Sequence, residues 1–145
     1  MNRSQLERYV GRWDLDECVE DCEYEWKLLG TLTFPGTPSW PKARRLFYRW
    51  VAEMRKDRAP QFLNWIAVFE HSRFDGSRIY VLIGASEINS RRRWTIRWQE
   101  LSRGDATLDR YRRGGFPKYL LGEARPNQHF VVAMDFCGWG LYEAD

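Results

Sequence analysis

The 145-residue chain carries 23 basic and 20 acidic residues and is rich in aromatics, with eight Trp, seven Tyr and eight Phe. That length suits one domain with a core of its own, and no apolar run approaches the roughly 18 residues of a membrane-spanning helix. The charge is uneven: residues 1–25 hold three basic and eight acidic residues, a net of −5, whereas residues 26–145 hold twenty and twelve, a net of +8.

Residues 1–25 read as a helical, acidic lead-in. Leu6, Tyr9, Val10 and Trp13 recur at helical spacing. No apolar segment of a secretory signal stands here, so a cytoplasmic location is expected. Asp14 to Glu25 then carries seven acids around Cys18, Val19 and Cys22, the pattern of a short acidic helix or of a solvated arm. With Cys137 the cysteines number three, an odd count without an export signal, which favours free thiols. A zinc centre needs four N or S ligands, and only His71 and His129 could join the cysteines.

Glu25 to Phe34 reads as a first strand, ended by Pro35-Gly36-Thr37-Pro38. Ser39 is placed to cap a helix that tolerates Pro41 in its first turn. In that helix Ala43, Leu46, Phe47, Trp50, Val51 and Met54 form one apolar stripe, and most of its Lys and Arg fall off the stripe. Pro60 forbids simple continuation. Gln61 to Glu70 is apolar on both faces, which predicts a central strand. Phe74-Asp75-Gly76-Ser77 is a hairpin loop, and Arg78 to Gly84 returns as a third strand. Arg91-Arg92-Arg93 precedes Trp94 to Leu101, which reads as a short strand or a helix, since Trp94, Trp98 and Leu101 also fit a helical stripe. Ala106 to Tyr111 reads as a further strand, Pro117 to Glu123 as a short helix, His129 to Phe136 as the last strand, and residues 137–145 as a tail.

The order is an α+β pattern in one domain, 1–145. An antiparallel sheet with helices on one face is the natural solution, and a split βαβ, ferredoxin-like arrangement fits it. A basic body points toward a nucleic-acid partner, because neutralised phosphates drive such binding. Arg91, Arg92, Arg93, Arg97 and Trp98 mix cations with rings, a combination suited to single-stranded nucleic acid; a basic loop before a core Trp pair is the competing reading. Arg110, Arg112 and Arg113 beside Gly114-Gly115 are placed to grip a backbone.

Three stretches, in order, resemble the replication-initiator endonucleases of rolling-circle plasmids and circular single-stranded DNA viruses, within the HUH endonuclease and relaxase superfamily. Gly30-Thr31-Leu32-Thr33-Phe34 is similar to the family's first motif. The hairpin is similar to the second, in which a Glu and a loop precede a His-hydrophobic-His or His-hydrophobic-Gln. Lys118-Tyr119-Leu120-Leu121-Gly122 is similar to the third, with its Tyr on a short helix. The likeness spans about residues 26–136 and implies a single-stranded or hairpin DNA partner, alone or within a larger nucleoprotein complex.

In such a family a divalent metal, Mg or Mn, polarises the scissile phosphate, and the Tyr attacks to form a 5′-phosphotyrosine. This chain departs from the pattern. Glu70 matches the acidic position, but Arg78 and Tyr80 stand at the two imidazole positions, and Gly122 replaces the expected Lys, with Lys118 the neighbouring cation. Arg has no lone pair to give a metal, and neutral Tyr is a poor ligand. The resemblance therefore implies a DNA-binding domain that has lost metal-dependent cleavage, with Arg78, Tyr80 and Lys118 among the expected DNA contacts, Arg78 neutralising a phosphate directly, and with no cofactor expected. The alternatives are a surviving nickase, with Tyr119 as nucleophile and Glu70 helping to hold a metal, and a protein-interaction module or inhibitor of a nucleic-acid enzyme.

Overall fold

The computed structural model describes residues 26–57, 63–72, 76–85, 91–112, 128–135 and 141–144. They form an α+β fold: β1 (Trp26–Thr33), α1 (Trp40–Asp57), β2 (Leu63–Ser72), β3 (Gly76–Ala85), α2 (Arg91–Ser102), β4 (Ala106–Arg110), β5 (Gln128–Asp135) and β6 (Leu141–Ala144). The strands make one antiparallel sheet in the order β4-β1-β3-β2-β5-β6. β3 lies between β1 and β2, so those two run parallel to each other and α1 carries the chain across. No described helix is long and apolar enough to cross a membrane.

The helix over 40–57 forms where its stripe requires. Ala43, Phe47, Trp50, Val51 and Met54 are all buried, and Arg55 and Lys56 sit at the negative end of the helix dipole. Its buried face packs on the odd-numbered residues of β2 and β3. Phe47 meets Trp65 edge-on at 5.0 Å, and Trp40 lies 5.0 Å from Phe69. α2 packs on the same side through Trp94 and Trp98, one turn apart, and Trp50 meets Trp98 edge-on at 5.8 Å. Burying a Trp removes roughly 200 Å² of surface, worth about 4–5 kcal/mol gross before ordering entropy. Much of the aromatic excess in the sequence is therefore core.

The other face of the sheet is also buried. Ile66, Val68, Leu82 and Met134 are almost wholly inaccessible, and none belongs to the cluster under the helices. Burial on both faces explains the unbroken apolar run of β2, a strand flanked by β3 and β5. Register is locked wherever a face is buried, because a one-residue slip would exchange the two sets. The exception is at Lys27, an extra residue that bulges β1 between Trp26 and Leu28. The hairpin closes on the pair Ser72–Gly76, where Gly76 adopts φ of 87°, a left-handed conformation that favours glycine.

The end of β1 is a fixed corner. The Thr33 hydroxyl donates to the Asp105 carbonyl at 3.2 Å and accepts from the Asp105 amide at 3.1 Å. The Thr33 carbonyl accepts from Trp98 Nε1 at 3.0 Å. A methyl group added at Gly104 would stand 2.0 Å from that carbonyl oxygen, so the turn from α2 to β4 leaves no room for a side chain there.

Two sequence expectations change. Trp94–Leu101, open between strand and helix, is helix. The expected tail, 137–145, contains β6, paired to β5 and tied to α1: the Tyr48 hydroxyl donates to Glu143, and Arg44 reaches the same carboxylate at 3.2 Å. The lead-in over 1–25 and the short helix over 117–123 lie outside the described residues.

Candidate nucleic-acid interface

The hairpin and the end of β1 bring two of the three motif stretches together. β2 pairs with β3 so that Glu70 lies opposite Arg78 and Val68 opposite Tyr80. β1 pairs on the other side of β3, placing Thr33 opposite Arg78 and Thr31 opposite Tyr80. Directly opposed residues share a face, with Cβ atoms about 5 Å apart. Thr33, Arg78 and Glu70 thus form one row across the sheet, on the face away from α1 and α2. Glu70 is only 6% exposed, Arg78 is half-buried, and each engages a partner. A carboxylate at that depth demands compensation, and a guanidinium directly across the ladder stands where compensation is needed.

His71, next along β2, points to the opposite face, where its ring stacks on Phe69 at 6.1 Å. It therefore does not join Glu70. Its Nδ1 lies 2.9 Å from Ser77 Oγ, which donates to the Pro38 carbonyl at 2.9 Å.

Several expected nucleic-acid contacts are corrected by burial. Tyr80 is 4% exposed, because β3 is central and both faces of the sheet are covered; no base can stack on it. Trp98 is fully buried between Phe34 and Trp50 and is core rather than platform. Arg97 is half-buried and clamped: its guanidinium donates to Glu53 at 2.5 and 2.8 Å and to Glu100 at 3.0 Å. The hydrogen bonds from Arg97 hold the Glu53 carboxyl below the usual carboxylate range, and those to Glu53 push the guanidinium up. The clamp forms because residues 94 and 98 turn toward the sheet, which turns 93 and 97 toward the acids of α1.

The rest of the arginine set divides. Arg93 grips Asp57 through both terminal nitrogens, at 2.6 and 3.3 Å, while its guanidinium carbon lies 5.2 Å from the Trp94 ring. Arg91 is exposed and reaches the Leu108 carbonyl at 3.5 Å. Arg92 and Lys56 are exposed on the rim of a cleft of about 920 Å³ between the two helices. Ile96 lies on the same cleft and is 43% exposed. Arg112 is exposed beyond β4. Arg113, Lys118 and Tyr119 lie outside the described residues.

The donor set on the Arg78 face does not fit a divalent metal. Of the three positions, one holds a guanidinium, one a buried phenol, and the remaining carboxylate faces the guanidinium. Among the described residues, no group of three or more His, Cys, Asp or Glu side chains is placed to hold a metal. The Thr33 hydroxyl and the Glu53–Arg97 and Glu143–Tyr48 contacts were not legible as partners, since they join segments 72, 44 and 95 residues apart. No protein-family model, curated protein or solved structure matches this chain.

Proposed function

We propose that this chain is a DNA-binding domain derived from a rolling-circle replication initiator, in which the metal-dependent nicking chemistry has been lost. The reading rests on one observation above all: the row Thr33–Arg78–Glu70 unites the first motif stretch and the hairpin on a single face of the sheet. The strand order β4-β1-β3-β2, with a helix between β1 and β2 and another between β3 and β4, supports a ferredoxin-like core extended by β5 and β6. On this reading the protein acts in the cytoplasm on single-stranded or hairpin DNA. It serves as a plasmid or origin regulator, or as a subunit of a larger nucleoprotein complex.

Arg78 supplies the positive charge at the position where the family places its metal, and a guanidinium binds a phosphate through two parallel hydrogen bonds. Arg91, Arg92 and Arg112 offer further phosphate contacts at the surface. Arg93 and Arg97 spend their guanidinium nitrogens on Asp57, Glu53 and Glu100 and are the weaker candidates for that role.

The test is binding of labelled single-stranded and hairpin oligonucleotides across a salt series, with a parallel search for a covalent adduct in Mn²⁺. Salt-sensitive binding without an adduct is the expected result. Arg78→Ala lowers affinity and reduces the salt slope by about 0.7–1. An adduct abolished by Tyr119→Phe would establish a surviving nickase instead, and no binding at low salt would overturn the DNA reading.

A further inference from the structure

The two sides of α2 differ sharply. Trp94, Trp98 and Ser102 are buried, and Arg92, Ile96 and Glu100 stand exposed on the solvent side. Ile96, 43% exposed, is the only large apolar side chain in the open among the described residues. One exposed isoleucine is ordinary on a protein surface. Its neighbours make this one informative. Arg92 lies four residues before it and Glu100 four residues after. The three form one i, i+4, i+8 ridge, with an apolar centre and opposite charges about 6 Å along the axis on either side.

Neither charge is used up inside the chain. Arg92 has no hydrogen-bond or ion-pair partner among the described residues. Glu100 holds Arg97 through Oε2 at 3.0 Å, but its side chain is 58% exposed and Oε1 has no described partner. The interhelical cleft beside the ridge also carries Glu53 and Asp57 among its cations. That mixed sign suits a protein surface better than a polyanion inside the cleft. The ridge is, moreover, its own complement: reversed end for end, Arg–Ile–Glu reads Glu–Ile–Arg. A two-fold axis through Ile96 sets two α2 helices antiparallel, with Ile96 against Ile96 and each Arg92 opposite Glu100 of the other copy. Ridges of i, i+4 spacing on two helices interdigitate with the axes crossed by about 50°.

We propose that the ridge Arg92–Ile96–Glu100 is a self-association surface, on which a second copy of this chain docks through the same ridge in antiparallel orientation. The ridge spans about 12 Å between its charged ends, far short of a standard interface, so the dimer is weak and forms as concentration rises. The surface stands independently of the DNA-binding proposal, and its test contains no nucleic acid. On the DNA reading, a bound strand and a second copy compete for Arg92.

The experiment is sedimentation equilibrium of the full chain from micromolar to millimolar concentration, at low and high salt. A monomer–dimer equilibrium that weakens with salt is expected. A chain that stays monomeric throughout overturns the proposal. Arg92→Glu and Glu100→Arg each set like charges against one another at both ends of the ridge. Each should weaken self-association by about tenfold or more, in chains whose circular dichroism is unchanged. Mixed in equal amounts, the two variants again present opposite charges at both ends, so their heterodimer should form with an affinity near the parent's. Mixing without recovery overturns the antiparallel pairing, and a dimer indifferent to both reversals overturns the ridge as its interface. Ile96→Asp should abolish self-association, and an unchanged dimer would overturn the place of Ile96 on the axis.

Discussion

Arg93 and Arg97 lie one turn apart on α2 and Arg92 lies beside them, yet the three occupy different electrostatic worlds. Asp57 takes Arg93, Glu53 and Glu100 take Arg97, and Arg92 stays exposed on the rim of the interhelical cleft. Two of these acids, Asp57 and Glu53, come from α1, 36 and 44 residues earlier in the chain, and Glu100 lies on α2 itself. A run of basic residues is thus not a basic surface until the carboxylates folded against it are counted. Tyr48 repeats the lesson, since its hydroxyl is locked onto Glu143 from the far end of the chain.

The sharpest way to break this contrast is to attack the scaffold that enforces it. Trp98→Ala removes a fully buried ring and the donor to the Thr33 carbonyl. A loss of about 3–5 kcal/mol in denaturant unfolding is expected, a large share of the 5–15 kcal/mol that typical domains possess. A loss near that of a surface substitution would return Trp98 to the role of a stacking platform.

Tyr48→Phe probes the locked set at lower cost. It removes a hydrogen bond to a partly exposed carboxylate and should cost about 1–2 kcal/mol. Burial, reinforced by Glu143, raises the pKa of the Tyr48 hydroxyl. The folded chain therefore holds that proton to higher pH than the unfolded chain. The resulting stability is intact below about pH 10 and is lost as pH rises beyond it. Alkaline unfolding should accordingly be shallower in Tyr48→Phe than in the parent chain.

What was legible in the sequence follows from which interactions are local. The stripe Ala43 to Met54 survives as α1 because helical periodicity is written within a few turns. β2 and β3 survive because two apolar runs stand on either side of the Asp-Gly dipeptide in the sequence, a strong local hairpin signal. α2 was ambiguous because Trp94, Ile96 and Trp98 alternate as in a strand while Trp94, Trp98 and Leu101 keep a helical stripe, and no acidic residue marks its first turn. β6 was missed because four residues carry too little pattern. At the candidate site, the hairpin and the first motif stretch were legible as separate pieces. Their meeting in the row Thr33–Arg78–Glu70 depends on β1 and β2 flanking β3, which no local signal announces. The burial of Tyr80 and Trp98 depends on the same long-range packing.

Arg97→Ala asks how much the clamp itself contributes. The pair is about one-third exposed on each side, so solvent screens it and the thermal midpoint should fall by a few degrees at most. Its signature lies in the acid limb. The Glu53 carboxyl is depressed chiefly by the hydrogen bonds from Arg97. Its contribution is therefore present above the unfolded carboxylate value of about 4.3 and lost as pH falls through the lower folded value. Removing Arg97 should flatten that limb while leaving oligonucleotide affinity unchanged. A marked loss of affinity would mean that the clamp opens to bind phosphate.

Arg92→Ala is the smallest change and the most selective. The side chain is exposed and contributes no described ion pair to the α1–α2 network, so stability should stay within about 0.5 kcal/mol of the parent. If the open arginines carry the electrostatic contact, every single-stranded sequence should bind more weakly by a similar factor. The slope of log affinity against log salt should fall by about 0.7, the value for one phosphate released from a single strand. Arg97→Ala, measured alongside, should leave the slope alone. An unchanged slope in Arg92→Ala, with a changed slope in Arg97→Ala, would invert the division between open and locked arginines: the clamp would then be the binding element and the exposed triplet only a solvated rim.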